Sequence, residues 1–213
     1  ELALMLDVEF NIEGNPEADF LALVHEVQPA QCTLVPDTPE QRTSDHGWDV
    51  VADADKLGPV IAALKAAGMR VSLFMDPDPA QMAAVAALGA DRVELYTEAY
   101  ASAFGTSEQA RVLQMYVDTA LAAVDAGLGI NAGHDLTVAN LPDFIAQVPQ
   151  VREVSIGHAL IADALWSGLH NRVRTSIKKA RKVVEVEWSD DIDTFLSLND
   201  MVFHRQGLEA PYS

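Results

Sequence analysis

The sequence predicts a parallel α/β fold, and three observations carry that prediction. Short β-branched runs alternate with helical patterns of about a dozen residues from residue 7 onward. Breakers such as Gly14-Asn15-Pro16, Gly68, Gly89 and Gly127 stand where strands and helices have to hand over. Hydrophobic residues make up 49 % of the chain and aromatic residues only 7 %, so the core is mostly Ala, Val, Leu and Ile, which suits parallel strands buried under helices.

Each element has its own justification. Asp7-Val-Glu-Phe-Asn-Ile-Glu13 alternates as a strand does. Phe20, Leu23, Val24 and Val27 follow at i, i+3, i+4 and i+7, one face of a helix. Gln31-Cys-Thr-Leu-Val35 reads as the second strand, and Leu57, Val60, Ile61 and Leu64 as the next helix face, stopped by Gly68. Arg70-Val-Ser-Leu-Phe-Met75 is a strand. Asp78 then suits an N-cap, Pro79 the first helical position and Gly89 a left-handed stop. After the strand Arg92-Val-Glu-Leu-Tyr96, Thr106 with Gln109 predicts a capping box for a long helix ending at Gly127. Gly129-Ile-Asn-Ala132 is a strand, Leu141 to Val148 a short helix, Glu153-Val-Ser-Ile156 a strand, and His158 opens a further helix. That makes six βα units; open sheet or closed barrel is not decided by the pattern. Beyond Gly168 the text changes to a basic helix (Asn171 to Lys182), a short strand (Val183 to Glu187) and an acidic-capped helix (Asp190 to Gln206).

Charge narrows the function classes. The net charge is −18, yet seven of the 14 basic and seven of the 32 acidic side chains lie in residues 171–213, so the whole excess sits in the first 170 residues. An acidic body of this kind repels nucleic acid, and an anionic ligand has to be held by local backbone amides. The apolar runs are too short for a membrane span, and residues 1–20 lack signal-peptide features, which predicts a cytoplasmic protein. The lone Cys32 excludes an internal disulfide or cysteine cluster and reads as a core residue. No dinucleotide fingerprint, P-loop or zinc-spaced set is present, so neither cofactor nor metal is expected.

In parallel α/β folds reactive side chains sit at the carboxyl ends of strands. That filter leaves Glu13, Thr43, Glu94, Thr97, Asn131, His134, Gly157 and His158. Glu94 stands out, because Val93 and Leu95 face the helices and the pleat turns Glu94 the other way. A buried carboxylate has to be paired, hydrogen-bonded or shifted in pKa. A structural charge in a buried network is the plain alternative. His134 follows Gly133 at a strand end, where an imidazole can move protons near neutral pH; on its own a loop histidine is more often bland. Gly157-His158 opens a helix and offers free N–H groups to a phosphate. His25, His46, His170 and His204 read as structural or exposed.

Seven strings in order then resemble one family: Asn11-Ile-Glu-Gly-Asn-Pro16, Thr33-Leu-Val-Pro-Asp37, Thr43-Ser-Asp-His-Gly-Trp-Asp49, Val71-Ser-Leu-Phe-Met-Asp76, Val93-Glu-Leu-Tyr-Thr97, Ile130-Asn-Ala-Gly-His-Asp-Leu-Thr137 and Ser155-Ile-Gly-His-Ala-Leu-Ile161. They resemble the pyridoxine 5'-phosphate synthase family over about residues 5–169. The resemblance implies a (β/α)8 TIM-type barrel, here reduced to about six units with the first two absent, and a homo-octameric assembly. It implies a vitamin B6 reaction, the condensation of 1-deoxy-D-xylulose 5-phosphate with 3-amino-2-oxopropyl phosphate. By the same resemblance Glu13 is a general base, Glu94 stabilises charge and His134 donates protons, while Thr43, Asp135, Gly157 and His158 hold substrate and phosphate. Asp135 departs from relatives with glycine there, so only its backbone N–H is expected to serve. Residues 170–213 resemble a fragment of a FemAB-like, GNAT-fold acyltransferase. Two rival readings therefore stand beside the synthase: a non-catalytic binder of phosphorylated sugars, and acyl transfer through the C-terminal segment.

Overall fold

The computed structural model describes residues 6–38, 41 and 43–167, so the C-terminal extension and its acyltransferase likeness lie outside the described residues. Six strands, β1 (Asn11–Gly14), β2 (Gln31–Leu34), β3 (Arg70–Met75), β4 (Arg92–Tyr96), β5 (Gly129–Gly133) and β6 (Val151–Ser155), form one sheet in the order β1-β2-β3-β4-β5-β6. Every neighbouring pair is parallel. Helices α1 (Ala18–Val27), α2 (Ala54–Ala66), α3 (Met82–Ala87), α4 (Glu98–Ala103), α5 (Gln109–Asp125), α6 (Leu141–Gln147) and α7 (His158–Ser167) occupy the connections.

The sheet is curled, and side chains prove it. Gln31 on β2 donates from Nε2 to the Glu153 carboxylate on β6, at 3.2 and 3.3 Å from its two oxygens. Four strand steps in a flat sheet would separate those strands by roughly 19 Å. The six strands therefore form a TIM-barrel-like half-barrel, and β1 and β6 are its two edges among the described residues.

The pleat explains the two faces. Cys32, Leu34, Val71, Leu73, Met75, Val93, Leu95, Ile130 and Ala132 are buried outward against the helices. Leu57, Ile61 and Leu64 of α2 and Leu113, Tyr116 and Ala120 of α5 meet them in one cluster. The alternate residues, Gln31, Thr33, Ser72, Glu94 and Asn131, are polar yet buried, because they line the concave side. Fully burying each large apolar side chain of this layer contributes about 1.5–3 kcal/mol. Cys32 is a core residue, as expected.

Some boundaries differ from the sequence reading. β1 starts at Asn11, not Asp7, because its register with β2 begins at Asn11 opposite Gln31, with the Phe10 carbonyl accepting from the Gln31 N–H as the last contact before it. Leu23 is exposed; Val24 is the residue that α1 buries completely. At Asp78 the expected cap is present, with Oδ1 accepting from the Ala80 N–H at 3.0 Å, though the turn it opens is 3₁₀ before α3. The side chains of Thr106 and Gln109 do not form the reciprocal capping box. Gln109 Oε1 instead accepts from the Gly105 N–H at 2.8 Å, and α5 begins at Gln109.

Candidate active site

The carboxyl ends of the strands open into a cavity of about 580 Å³. It is lined by Glu13, Asp37, Thr43, Ser44, Phe74, Glu94, His134, Asp135, Leu136, Thr137, Ser155, Ile156, Gly157, His158 and Ala159. Seven of the nine residues singled out from the sequence or its resemblance (Glu13, Thr43, Glu94, His134, Asp135, Gly157 and His158) meet in this one space. Thr97 and Asn131 do not. Thr97 is buried and donates from its hydroxyl to the Gly133 carbonyl, a brace for the β5 loop. Asn131 lies deeper on β5, bonded to Arg92 and Glu153.

Glu94 is held by the pleat of β4 and is 1 % exposed. Its Oε2 has no hydrogen-bond partner among the described residues. Burial pushes its carboxyl up to about 8, the charge of Glu13 adds to the shift, and the Ser155 hydroxyl opposes it. Gly133, on the neighbouring strand, makes the room: a Cβ there would lie 2.1 Å from Glu94 Oε1. Glu13 is the penultimate residue of β1 and is exposed at the mouth of the cavity. The protein crowding around it raises its pKa, Asp37 raises it further, and His134 pulls the other way.

His134 is held on every side. Its Nε2 lies 2.6 Å from Thr43 Oγ1 and its Nδ1 lies 2.9 Å from Asp135 Oδ2. The Tyr96 ring meets the imidazole edge-on at 4.9 Å between centroids. The Thr97 hydroxyl bonds the His134 carbonyl. Thr43 is brought to it by the long β2–α2 connection, in which the Tyr96 hydroxyl donates to the Ser44 carbonyl at 3.1 Å. On the far side Gly157 and His158 precede and open α7, and the Ile161 N–H closes back on the Gly157 carbonyl at 3.2 Å.

Sequence reasoning passed over Asp37, Ser44, Phe74 and Ser155. Asp37 follows Pro36 directly after β2, and its Oδ2 accepts from the Ser44 hydroxyl at 2.6 Å while Oδ1 is buried without a partner among the described residues. Strand-end position marked Asp37, and the two-residue alternation from Glu153 marked Ser155; both signals were in the text. His25 and His46 are exposed, as read, whereas His170 and His204 lie outside the described residues.

Four carboxylates (Glu13, Asp37, Glu94 and Asp135) and two imidazoles line the cavity, with no lysine or arginine among the described lining residues. Such a space can hand protons back and forth and can stabilise a cationic centre. A curled parallel sheet with proton-transfer groups at the carboxyl ends of its strands defines the class, a (β/α)-barrel enzyme. The comparisons with known proteins agree. The family described as "Pyridoxal phosphate biosynthesis protein PdxJ" matches residues 1–182, and the chain belongs to it. The pyridoxine 5'-phosphate synthase of Albidiferax ferrireducens is 53 % identical over 187 residues, covering 84 % of this chain and 74 % of that protein. Its counterpart in Brucella anthropi is 57 % identical over 162 residues (76 % of this chain, 66 % of that protein). The one in Cytophaga hutchinsonii is 47 % identical over 182 residues (85 % and 76 %). The chain thus spans about two thirds to three quarters of the length of these relatives. The family match takes in the basic segment up to residue 182, and the acyltransferase likeness of residues 170–213 is not supported by these similarities. Among the described residues no helix is long and apolar enough to cross a membrane.

Proposed function

We propose that this chain carries the acid–base site of a pyridoxine 5'-phosphate synthase, joining 1-deoxy-D-xylulose 5-phosphate to 3-amino-2-oxopropyl phosphate in vitamin B6 biosynthesis. The observation that supports this reading most is the convergence of Glu13, Glu94 and His134 on one cavity. Imine formation, loss of water and aromatisation are successive proton transfers, and each needs a donor or acceptor within hydrogen-bond reach of one small molecule. Glu13, at the mouth, acts as the general base. Glu94, protonated up to about 8, offers a neutral O–H donor at neutral pH and turns anionic when charge develops beside it. His134 returns protons in the ring-closing steps. Thr43 and the backbone N–H of Asp135 bind substrate groups, and the turn at Gly157–His158 receives a phosphate on its backbone N–H groups. Self-assembly into an oligomer belongs to the same proposal.

The test is direct. Purified protein is given both substrates, and pyridoxine 5'-phosphate is followed by chromatography. The expected result is product whose formation Glu94→Gln and His134→Asn each lower by at least about 100-fold. Thermal stabilisation by the substrates without any product would leave only a binder of phosphorylated sugars and defeat the proposal.

A further inference from the structure

We propose that the carboxylate of Asp135 is a positioning residue for His134: it takes the Nδ1–H of the imidazole and so keeps Nε2 turned to Thr43 and the cavity. The inference deepens the reading of His134 as proton donor, and its kinetic arm rests on that reading. It also revises the expectation that only the backbone N–H of Asp135 serves.

Adjacent side chains rarely meet. In a strand they point to opposite faces, and in a helix they diverge by about 100°. Here His134 (φ 75°) and Asp135 (φ 55°) are both in the left-handed region, and this consecutive turn brings Asp135 Oδ2 to 2.9 Å from His134 Nδ1. Residues other than glycine rarely hold such a backbone, and they persist there only where the surroundings over-determine it. The surroundings do so. Thr97 bonds the carbonyls of Gly133 and His134, and Asn140 Nδ2 donates to the Asp135 carbonyl at 3.2 Å.

Because those bonds already hold the backbone, the carboxylate is not needed as a brace. Its side chain is 46 % exposed, and an exposed pair of this kind adds little to stability. What it does control is the ring. An acceptor at Nδ1 fixes the neutral imidazole as the Nδ1–H tautomer. The bare Nε2 then accepts the Thr43 hydroxyl proton at 2.6 Å. Nε2, the nitrogen that faces the cavity, is then the one that takes up and releases the proton. The Tyr96 ring packs edge-on against the imidazole beside these two contacts.

Asp135→Gly isolates the carboxylate, since glycine adopts these left-handed angles without strain and the loop keeps its path. The nitrogen resonances of His134 are compared in full-length protein by long-range ¹⁵N–¹H correlation. The expected result is a predominant Nδ1–H tautomer in the parent and at least about a fivefold fall of its ratio to Nε2–H in the variant. With both substrates kcat should fall about tenfold and KM should stay within about twofold. Asp135→Asn, which keeps the left-handed tolerance but not the charge, should give a kcat between the two. The same tautomer ratio in parent and glycine variant overturns the proposal, as does a loss confined to KM. If the protein makes no product at all, the synthase reading fails while the tautomer comparison still decides the role of Asp135.

Discussion

The concave face of the sheet carries two polar layers, and they are finished in opposite ways. Near the amino ends of the strands Arg70 and Arg92 are each paired with a carboxylate. Arg70 bonds Gln31 Oε1 at 2.7 Å and reaches Glu9 at 2.5 Å, while Arg92 reaches Asn131 at 3.1 Å and Glu153 at 3.0 Å. Near the carboxyl ends, Glu13, Asp37 and Glu94 share a cavity with no lysine or arginine among the described lining residues, and Glu94 Oε2 and Asp37 Oδ1 lack partners there. The pleat delivers polar side chains to both layers alike. The lesson is that inward polarity on its own does not mark a site; unpaired ionisable groups do, because folding gains nothing from them and chemistry can use them.

The largest effect expected from this contrast is the split behaviour of Glu94→Gln. Product formation falls by about 10²–10³-fold, while the melting temperature does not fall, since the amide keeps the shape and drops a carboxyl that burial penalises. A pH series of melting temperatures sharpens the point. The folded-state pKa of Glu94 is raised to about 8 from the ordinary 4.5. Its contribution to stability is therefore complete below about 4.5, declines as pH rises, and is gone above about 8. The melting temperature of the parent should fall against that of Glu94→Gln across this window. A constant difference would mean that Glu94 does not keep its proton in the fold.

In the matched layer the expectation reverses. Arg92→Met leaves Glu153 and Asn131 without their cation, and urea unfolding should show a loss of about 2 kcal/mol, below the 3–5 typical of fully buried pairs because Glu153 is 30 % exposed. The kcat should change by less than about threefold. A large kcat effect with intact stability would dissolve the distinction between the layers.

Much of the architecture was readable in the residues, for identifiable reasons. β3 and β4 agree to the residue because apolar alternation there is bounded by Gly68, Gly89 and Asp91. Glu94 was found because it interrupts an apolar strand. β1 was read four residues too long, since alternation in one strand is blind to where its partner starts. Helix α4 (Glu98–Ala103) escapes the periodicity, being six residues whose buried pair, Tyr100 and Ala103, is too short a pattern to read. The curl was invisible to periodicity: Gln31 and Glu153 are 122 positions apart and each looks like an ordinary solvent-facing residue. Asp37 was missed because an acid after a proline in a loop is the commonest kind of bland surface residue. Its place just past a strand is the one hint the residues give, and Glu13 and Ser44, arriving from elsewhere in the chain, turn that hint into a site.

The smallest effect joins the two layers through one hydrogen atom. Gly133 ends the strand that carries Asn131 of the matched layer, and it faces Glu94 of the unmatched one. In Gly133→Ala the new Cβ would lie 2.1 Å from Glu94 Oε1 and 3.1 Å from Ser155 Cβ, so something has to yield. The carboxylate is the free end of a flexible side chain, whereas Ser155 is fixed by its strand; Glu94 therefore moves. Stability should drop by only about 1 kcal/mol, at the low end of overpacking, because a carboxylate with an unpartnered oxygen has few bonds to lose. Product formation should drop about tenfold, since a displacement of this size takes the carboxyl out of line with the reacting atoms. Were activity unchanged while stability fell by 3 kcal/mol or more, Glu94 would have to be counted with the matched layer, as a structural group that the fold cannot release.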